Sequence, residues 1–144
     1  MDNPAKNLPV QIHLRTDILQ DGKKSNFVFD MEGQLVHIGN AIYIRYDEEV
    51  EGGSIPVTIK IDEHEDVKIT RSGQNRSQLM FSEGKRISAV YKTPYGPLDI
   101  QTVTLGLTGE IFENPLRGTI EISYLLYAGQ EMLGKYNISL QFTV

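Results

Sequence analysis

Cysteine is absent from all 144 residues. That excludes disulfides, thiolate nucleophiles and thiolate zinc sites together, and it suits a reducing compartment. Tryptophan is absent too, and aromatic residues make up only 8% of the chain. There is no basic excess: 14 Lys and Arg stand against 19 Asp and Glu, a formal net charge of −5. Such a chain offers no electrostatic footprint for nucleic acid, and anionic membrane surfaces repel it. No apolar run reaches membrane-spanning length. The opening MDNPAKNLPV lacks the apolar stretch of a signal peptide. The resulting expectation is a cytoplasmic protein with neither nucleic acid nor membrane as partner. Helical spacing is missing as well, since no long stretch sets apolar residues three to four apart.

What the chain has is alternation. Tyr136, Ile138, Leu140 and Phe142 alternate with Asn137, Ser139, Gln141 and Thr143. That period of two belongs to a strand with one buried face. Ile120, Ile122, Tyr124 and Leu126 repeat the pattern, and Ala128-Gly129-Gln130 joins the two segments as a hairpin. Val10, Ile12, Leu14 and Ile18 mark a first strand of similar length. Phe27, Phe29 and Met31 carry a second, interrupted by Gly33, which reads as a bulge or bend. Gly39-Asn40 is a hairpin turn before Ile42, Ile44 and Tyr46.

Residues 47–53 are acidic, end in two glycines and read as a loop. Val57, Ile59 and Ile61, then Val67, Ile69 and Arg71, then Leu79 and Phe81, then Ile87, Ala89 and Tyr91 mark further short strands. Thr93-Pro94-Tyr95-Gly96-Pro97 is a rigid loop. Over residues 98–107 the apolar side switches from Leu98 and Ile100 to Val103, Leu105 and Leu107, the signature of a bulge. Residues 109–117 contain Asn114-Pro115 and read as irregular, with room for a short edge strand. The length predicts one domain, 1–144, with 1–8 a loose lead-in. Short strands with hairpin-short connections predict an all-β fold, a single closed antiparallel up-and-down barrel of about eight to ten strands.

Several motifs then invite comparison in order: Glu32-Gly33-Gln34-Leu35, Gly39-Asn40-Ala41-Ile42-Tyr43, Arg71-Ser72-Gly73, Thr93-Pro94-Tyr95-Gly96, and Gly118-Thr119-Ile120 through Tyr124-Leu125. This ordered set resembles the YwiB-like family of uncharacterised proteins from Gram-positive bacteria, across most of the chain. The resemblance implies a barrel similar to the calycins, the lipocalin-like folds. It implies no activity, substrate or site residue.

The candidate chemistry is sparse. His13, His37 and His64 sit at no metal-ligand or triad spacing and read as surface residues. Residues 62–66 gather four carboxylates and His64, but lack the alternating ligands and central glycine of a calcium loop; they read as a solvated turn. No metal, cofactor or catalytic residue is expected. Arg71 shares a face with Val67 and Ile69, so its guanidinium points into the barrel or snorkels to its rim. An inward guanidinium requires a partner: a protein carboxylate, a tyrosine, or the anionic group of a ligand. Parity places Phe27, Phe29, Phe81, Phe142, Tyr46, Tyr91, Tyr124 and Tyr136 inward. They fill the interior, or the tyrosines line a mouth.

Candidate ligand-binding residues are Arg71, Tyr46, Tyr91 and Tyr124, with Tyr95 flanking an opening or capping the apolar end. Parity shows no inward Asp, Glu or His to serve as acid or base, which ranks enzyme third. The leading expectation is a barrel that binds a small apolar or amphipathic anionic ligand. The alternative is a ligand-free interaction module, monomeric or homodimeric.

Overall fold

A computed structural model describes residues 7–73 and 75–144. Within them there are eleven strands and no helix: β1 (Asn7–Gln20), β2 (Lys23–Ile38), β3 (Ala41–Val50), β4 (Gly53–Ile61), β5 (Val67–Ser72), β6 (Arg76–Phe81), β7 (Arg86–Thr93), β8 (Gly96–Pro97), β9 (Ile100–Phe112), β10 (Arg117–Ala128) and β11 (Glu131–Thr143). Every strand pairing among the described residues is antiparallel. The sheet runs β6-β5-β4-β3-β2-β1-β11-β10-β9-β7-β8 and closes by pairing β6 with β7. Ten strands form the closed barrel, and β8 is a two-residue addition to β7.

The long first and last strands meet along residues 11–19 and 135–143. Each would otherwise present a long open edge, and pairing them removes both. The opposite seam is slight, with Arg76, Ser77 and Gln78 facing Lys92, Tyr91 and Val90. The core consists of the alternate inward residues of nearly every strand, including Val10, Ile44, Val57, Phe81, Leu140 and Phe142, each at most 2% exposed.

Four features depart from the sequence reading. The lead-in is shorter, because Asn7 and Leu8 already pair with Val36 and Leu35; residues 1–6 lie outside the described residues. Gly33 causes no register shift. It sits where β2 loses β3, the last shared pair being Gln34 with Arg45. A Cβ on Gly33 would lie 2.5 Å from the Arg45 carbonyl oxygen and 2.7 Å from Ile12 Cδ1, so close backbone approach requires glycine there. Residues 47–50 belong to β3 and residues 109–112 to β9, since backbone pairing overrides their polar or glycine-containing composition.

The bulge in β9 is real, but its faces differ from the expected ones. Pairing skips from Gly106 opposite Ser123 to Thr104 opposite Tyr124. Thr102 and Thr104 therefore face inward, essentially without exposure, while Leu98 and Leu105 are about half exposed. Thr102 Oγ1 donates to the Met80 carbonyl at 2.6 Å, which explains how a hydroxyl is tolerated there.

Candidate functional site

In a meander, alternate connections share one end of the barrel. The turns at Asp21-Gly22, Glu51-Gly52, Pro94-Tyr95 and Gly129-Gln130, and the end of β5 at Ser72, all lie at that end. Inward residues of the strands leading to it border a cleft of about 360 Å³. Its β1–β2 wall carries Leu14, Ile18, Phe27 and Phe29; Ile59, Ile69 and Leu79 lie on β4, β5 and β6; Tyr124, Tyr136 and Ile138 lie on β10 and β11. Its polar groups are Thr16, Tyr46, Glu48 and Arg71, together with the phenols of Tyr124 and Tyr136.

Register builds the polar corner. Val57 on β4 stands opposite Tyr46 on β3 and opposite Arg71 on β5, so those three side chains form one row across the sheet. Glu48 follows Tyr46 by two residues on the same inward face. Arg71 Nη2 donates to Glu48 Oε1. Their side chains are 42% and 21% exposed, so the ion pair sits at the rim of the cleft rather than in a dry interior.

The tyrosines are conditioned by burial. The Tyr46 phenol is pushed up to about 12, chiefly by desolvation and then by the Glu48 charge, with Arg71 opposing. Burial pushes the Tyr124 phenol up more strongly, with Tyr136 adding and Arg71 opposing. Tyr136 is raised by burial and then by Tyr91. All three hydroxyls thus stay protonated at neutral pH and serve as hydrogen-bond groups rather than bases. The Tyr124 ring stacks on Tyr136 at 5.1 Å between centroids and tilts against Phe81 at 4.6 Å. This aromatic cluster runs from β11, where Tyr136 stands opposite Ile18 of β1, through β10 to Phe81 on β6 across the barrel.

Of the residues singled out from sequence, Arg71, Tyr46 and Tyr124 converge on the cleft. Tyr91 does not border it; it is half-buried on β7, near enough to Tyr136 to influence that phenol. Tyr95 is 99% exposed on the turn between β7 and β8, so it caps no apolar surface, and it does not line the cleft. Glu48 overturns the expectation that no carboxylate faces inward. The alternation Ile42, Ile44, Tyr46 reaches it directly, and only the loop assignment of residues 47–53 hid it. Phe27 and Phe29 face the cleft but are 49% and 40% exposed, so they form its lip rather than its core.

His13 pairs with Asp30 at 2.6 Å on the outer face, while His37 and His64 are exposed. Asp62 Oδ1 accepts from the backbone N–H groups of His64 and Asp66, which organises that acidic turn. Among the described residues no group of three candidate metal ligands gathers. A hollow of about 530 Å³ lies where residues 9–11 and 32–34 approach 45–47 and 56–58. It shares Tyr46 and Val57 with the cleft and lies where β2 parts from β3.

The chain is 28% identical over 134 residues to the uncharacterized beta-barrel protein YwiB of Bacillus subtilis (strain 168), covering 93% of this chain and 92% of that one. It superimposes on the crystal structure of the ywiB protein from Bacillus subtilis with a TM-score of 0.83 at 26% identity, over 96% of this chain and 94% of that chain. Both agree with the resemblance drawn from the ordered motifs and with the closed barrel described above. The family described as Domain of unknown function (DUF1934) matches residues 12–140, and the chain belongs to it.

Proposed function

We propose that the cleft binds a small amphipathic molecule, with its apolar body against Leu14, Ile69, Leu79 and Ile138 and its head group at Arg71. The observation that carries this reading is the placement of the Arg71–Glu48 pair and the protonated phenols of Tyr46 and Tyr124 at one corner of an otherwise apolar cleft. An apolar cavity of several hundred Å³ with a few convergent polar groups is the usual form of a small-molecule site. Arg71 commits one nitrogen to Glu48, leaving its other donors for an acceptor. Glu48 repels anions nearby, so the head group that fits is a neutral acceptor or a single carboxylate rather than a multiply charged anion.

The same geometry argues for binding rather than catalysis. Glu48 is engaged by Arg71, and the phenols are pushed away from the range of a general base. A cytoplasmic location, suggested by the cysteine-free composition, would supply such metabolite-like ligands.

Native mass spectrometry of freshly purified protein, followed by titration with a fluorescent fatty-acid analogue, tests the proposal. Arg71→Met should weaken the probe by about 1.5 to 3 kcal/mol, the scale of a charge-assisted hydrogen bond. Glu48→Gln should strengthen it by removing the repulsion. Absence of probe binding in the parent protein, or equal effects of both variants, would overturn the reading.

A further inference from the structure

β2 is longer than its partnership with β3. Among the described residues, 34–38 pair with β3, whereas residues 23–33 pair with β1 alone. Every residue from Lys23 to Asp30 is exposed, including those whose side chains face the cleft. An edge of this length, carrying Phe27 and Val28 at 49% exposure and Phe29 at 40%, is a template for another strand. We infer that this edge pairs antiparallel with the same edge of a second copy of the chain, about a two-fold axis through Val28.

Three features select that occupant and register. The first is the direction of the backbone groups. Asp21 and Gly22 both have positive φ, 53° and 73°, which makes a two-residue turn with Gln20 and Lys23 as its closing hydrogen-bonded pair. Alternation from Lys23 turns the N–H and C=O of Lys24, Asn26, Val28, Asp30 and Glu32 away from β1, toward the open edge. A two-fold axis at Val28 sets each of these residues opposite another of the same set.

The second feature is charge. Pairing about Val28 places Lys24 opposite Glu32 of the other copy, and Asn26 opposite Asp30, twice each. Opposite charges directly across a sheet attract, and the amide can donate to the carboxylate. A shift of the axis to residue 27 would set Lys24 against Asp30 and leave Glu32 at the fraying end, opposite Gly22. The third is the inner face, where Phe27 meets Phe29 twice in the closer, non-hydrogen-bonded positions. Those rings form the lip of the cleft, so each copy would border the mouth of the other.

The absence of native cysteine permits a register-specific test. In the inferred pairing the two Val28 Cα atoms stand about 5.5 Å apart, within disulfide range. The two Asn26 residues stand four positions out of register, about 13 Å apart along the strand. Under mild oxidation Val28→Cys should cross-link to a covalent dimer, and Asn26→Cys should not. In sedimentation equilibrium the unmodified protein should be dimeric. Lys24→Glu should weaken the dimer by about tenfold or more, since it sets like charges opposite each other twice. The double variant Lys24→Glu/Glu32→Lys should restore it. A protein monomeric at every concentration, equal cross-linking at positions 26 and 28, or a dimer indifferent to Lys24→Glu would overturn the inference. None of these readouts depends on ligand binding, so the cleft proposal stands or falls separately.

Discussion

Glu48 on β3 and Arg71 on β5 meet across the inner face of β4, which lies between their strands. Neither is next to the other in sequence or in strand order, yet both are inward because each continues an apolar alternation by one more step. Glu48 follows Ile44 and Tyr46, and Arg71 follows Val67 and Ile69. The pair ties the free end of the β3–β4 hairpin to β5.

The partial exposure of this pair sets the size of its contribution. A fully buried pair broken on one side costs about 3 to 5 kcal/mol, and a fully exposed one about 0 to 1. With Glu48 21% and Arg71 42% exposed, Arg71→Met should lower stability by about 1 kcal/mol. Glu48→Gln should cost less, because the amide oxygen still accepts from the guanidinium. The urea midpoint of each variant checks the order. A loss from Arg71→Met beyond about 3 kcal/mol would mean that water does not reach Glu48.

High pH should unfold the protein through its tyrosines. Burial holds the Tyr46 phenol at about 12, against 10.0 for an unperturbed group. Between those values the unfolded chain has released the proton and the folded chain retains it, so raising the pH favours unfolding. The stabilisation is complete below pH 10 and is lost toward pH 12; Tyr46 alone accounts for about 2 to 3 kcal/mol of it. Tyr124 acts in the same direction. Urea midpoints across this range should fall steeply, and Tyr46→Phe should flatten the fall. Glu48→Gln should move the Tyr46 phenolate transition to lower pH, and Arg71→Met should move it higher.

Two glycines are required by contacts rather than by turns. A Cβ on Gly118 would press into the ring of Phe142, which is 1% exposed, and would lie 3.1 Å from the Glu110 carbonyl oxygen. At Gly33 the obstacle is the Arg45 carbonyl oxygen at 2.5 Å. Overpacking of this kind costs about 1 to 3 kcal/mol, so Gly118→Ala and Gly33→Ala should both lower the urea midpoint. Gly106→Ala has open space around it and serves as the control.

Much of the barrel is legible in the alternation, because one buried face imposes a period of two whatever the neighbouring strand. Ile120 to Leu126 and Tyr136 to Phe142 declare the closing hairpin, and Val10 to Ile18 the strand that seals it. The site is less legible for three physical reasons. Composition labels residues 47–50 a loop, although backbone pairing with β4 carries them, and Glu48 with them. Threonine is read as polar and outward, although Thr102 is buried with its hydroxyl spent on the Met80 carbonyl. Parity also says which face a side chain takes but not whether a neighbouring strand covers it. Phe27 and Phe29 therefore look like core and prove to be the lip of the cleft, because β3 parts from β2 beyond Gln34.

The two seams of the barrel should open at different free energies. β1 and β11 pair along residues 11–19 and 135–143, with Ile12, Leu140 and Phe142 buried beneath them. Among the described residues β6 and β7 share only the pairs of Arg76, Ser77 and Gln78, and Arg86, Ser88, Val90 and Lys92 of β7 are exposed. Local opening follows the thinnest pairing with the least apolar burial. Native-state hydrogen exchange should therefore show the β7 amides exchanging through sub-global openings, well before those of β1 and β11, which should require global unfolding. Proteolysis under native conditions should cut first between β6 and β8. Removing residues 136–144 attacks the stronger seam instead: it strips β1 and β10 of a shared partner and uncovers the apolar face beneath, so the truncated chain should be insoluble. Equal protection of β7 and β11, or a soluble truncation that unfolds cooperatively, would contradict this ordering of the seams.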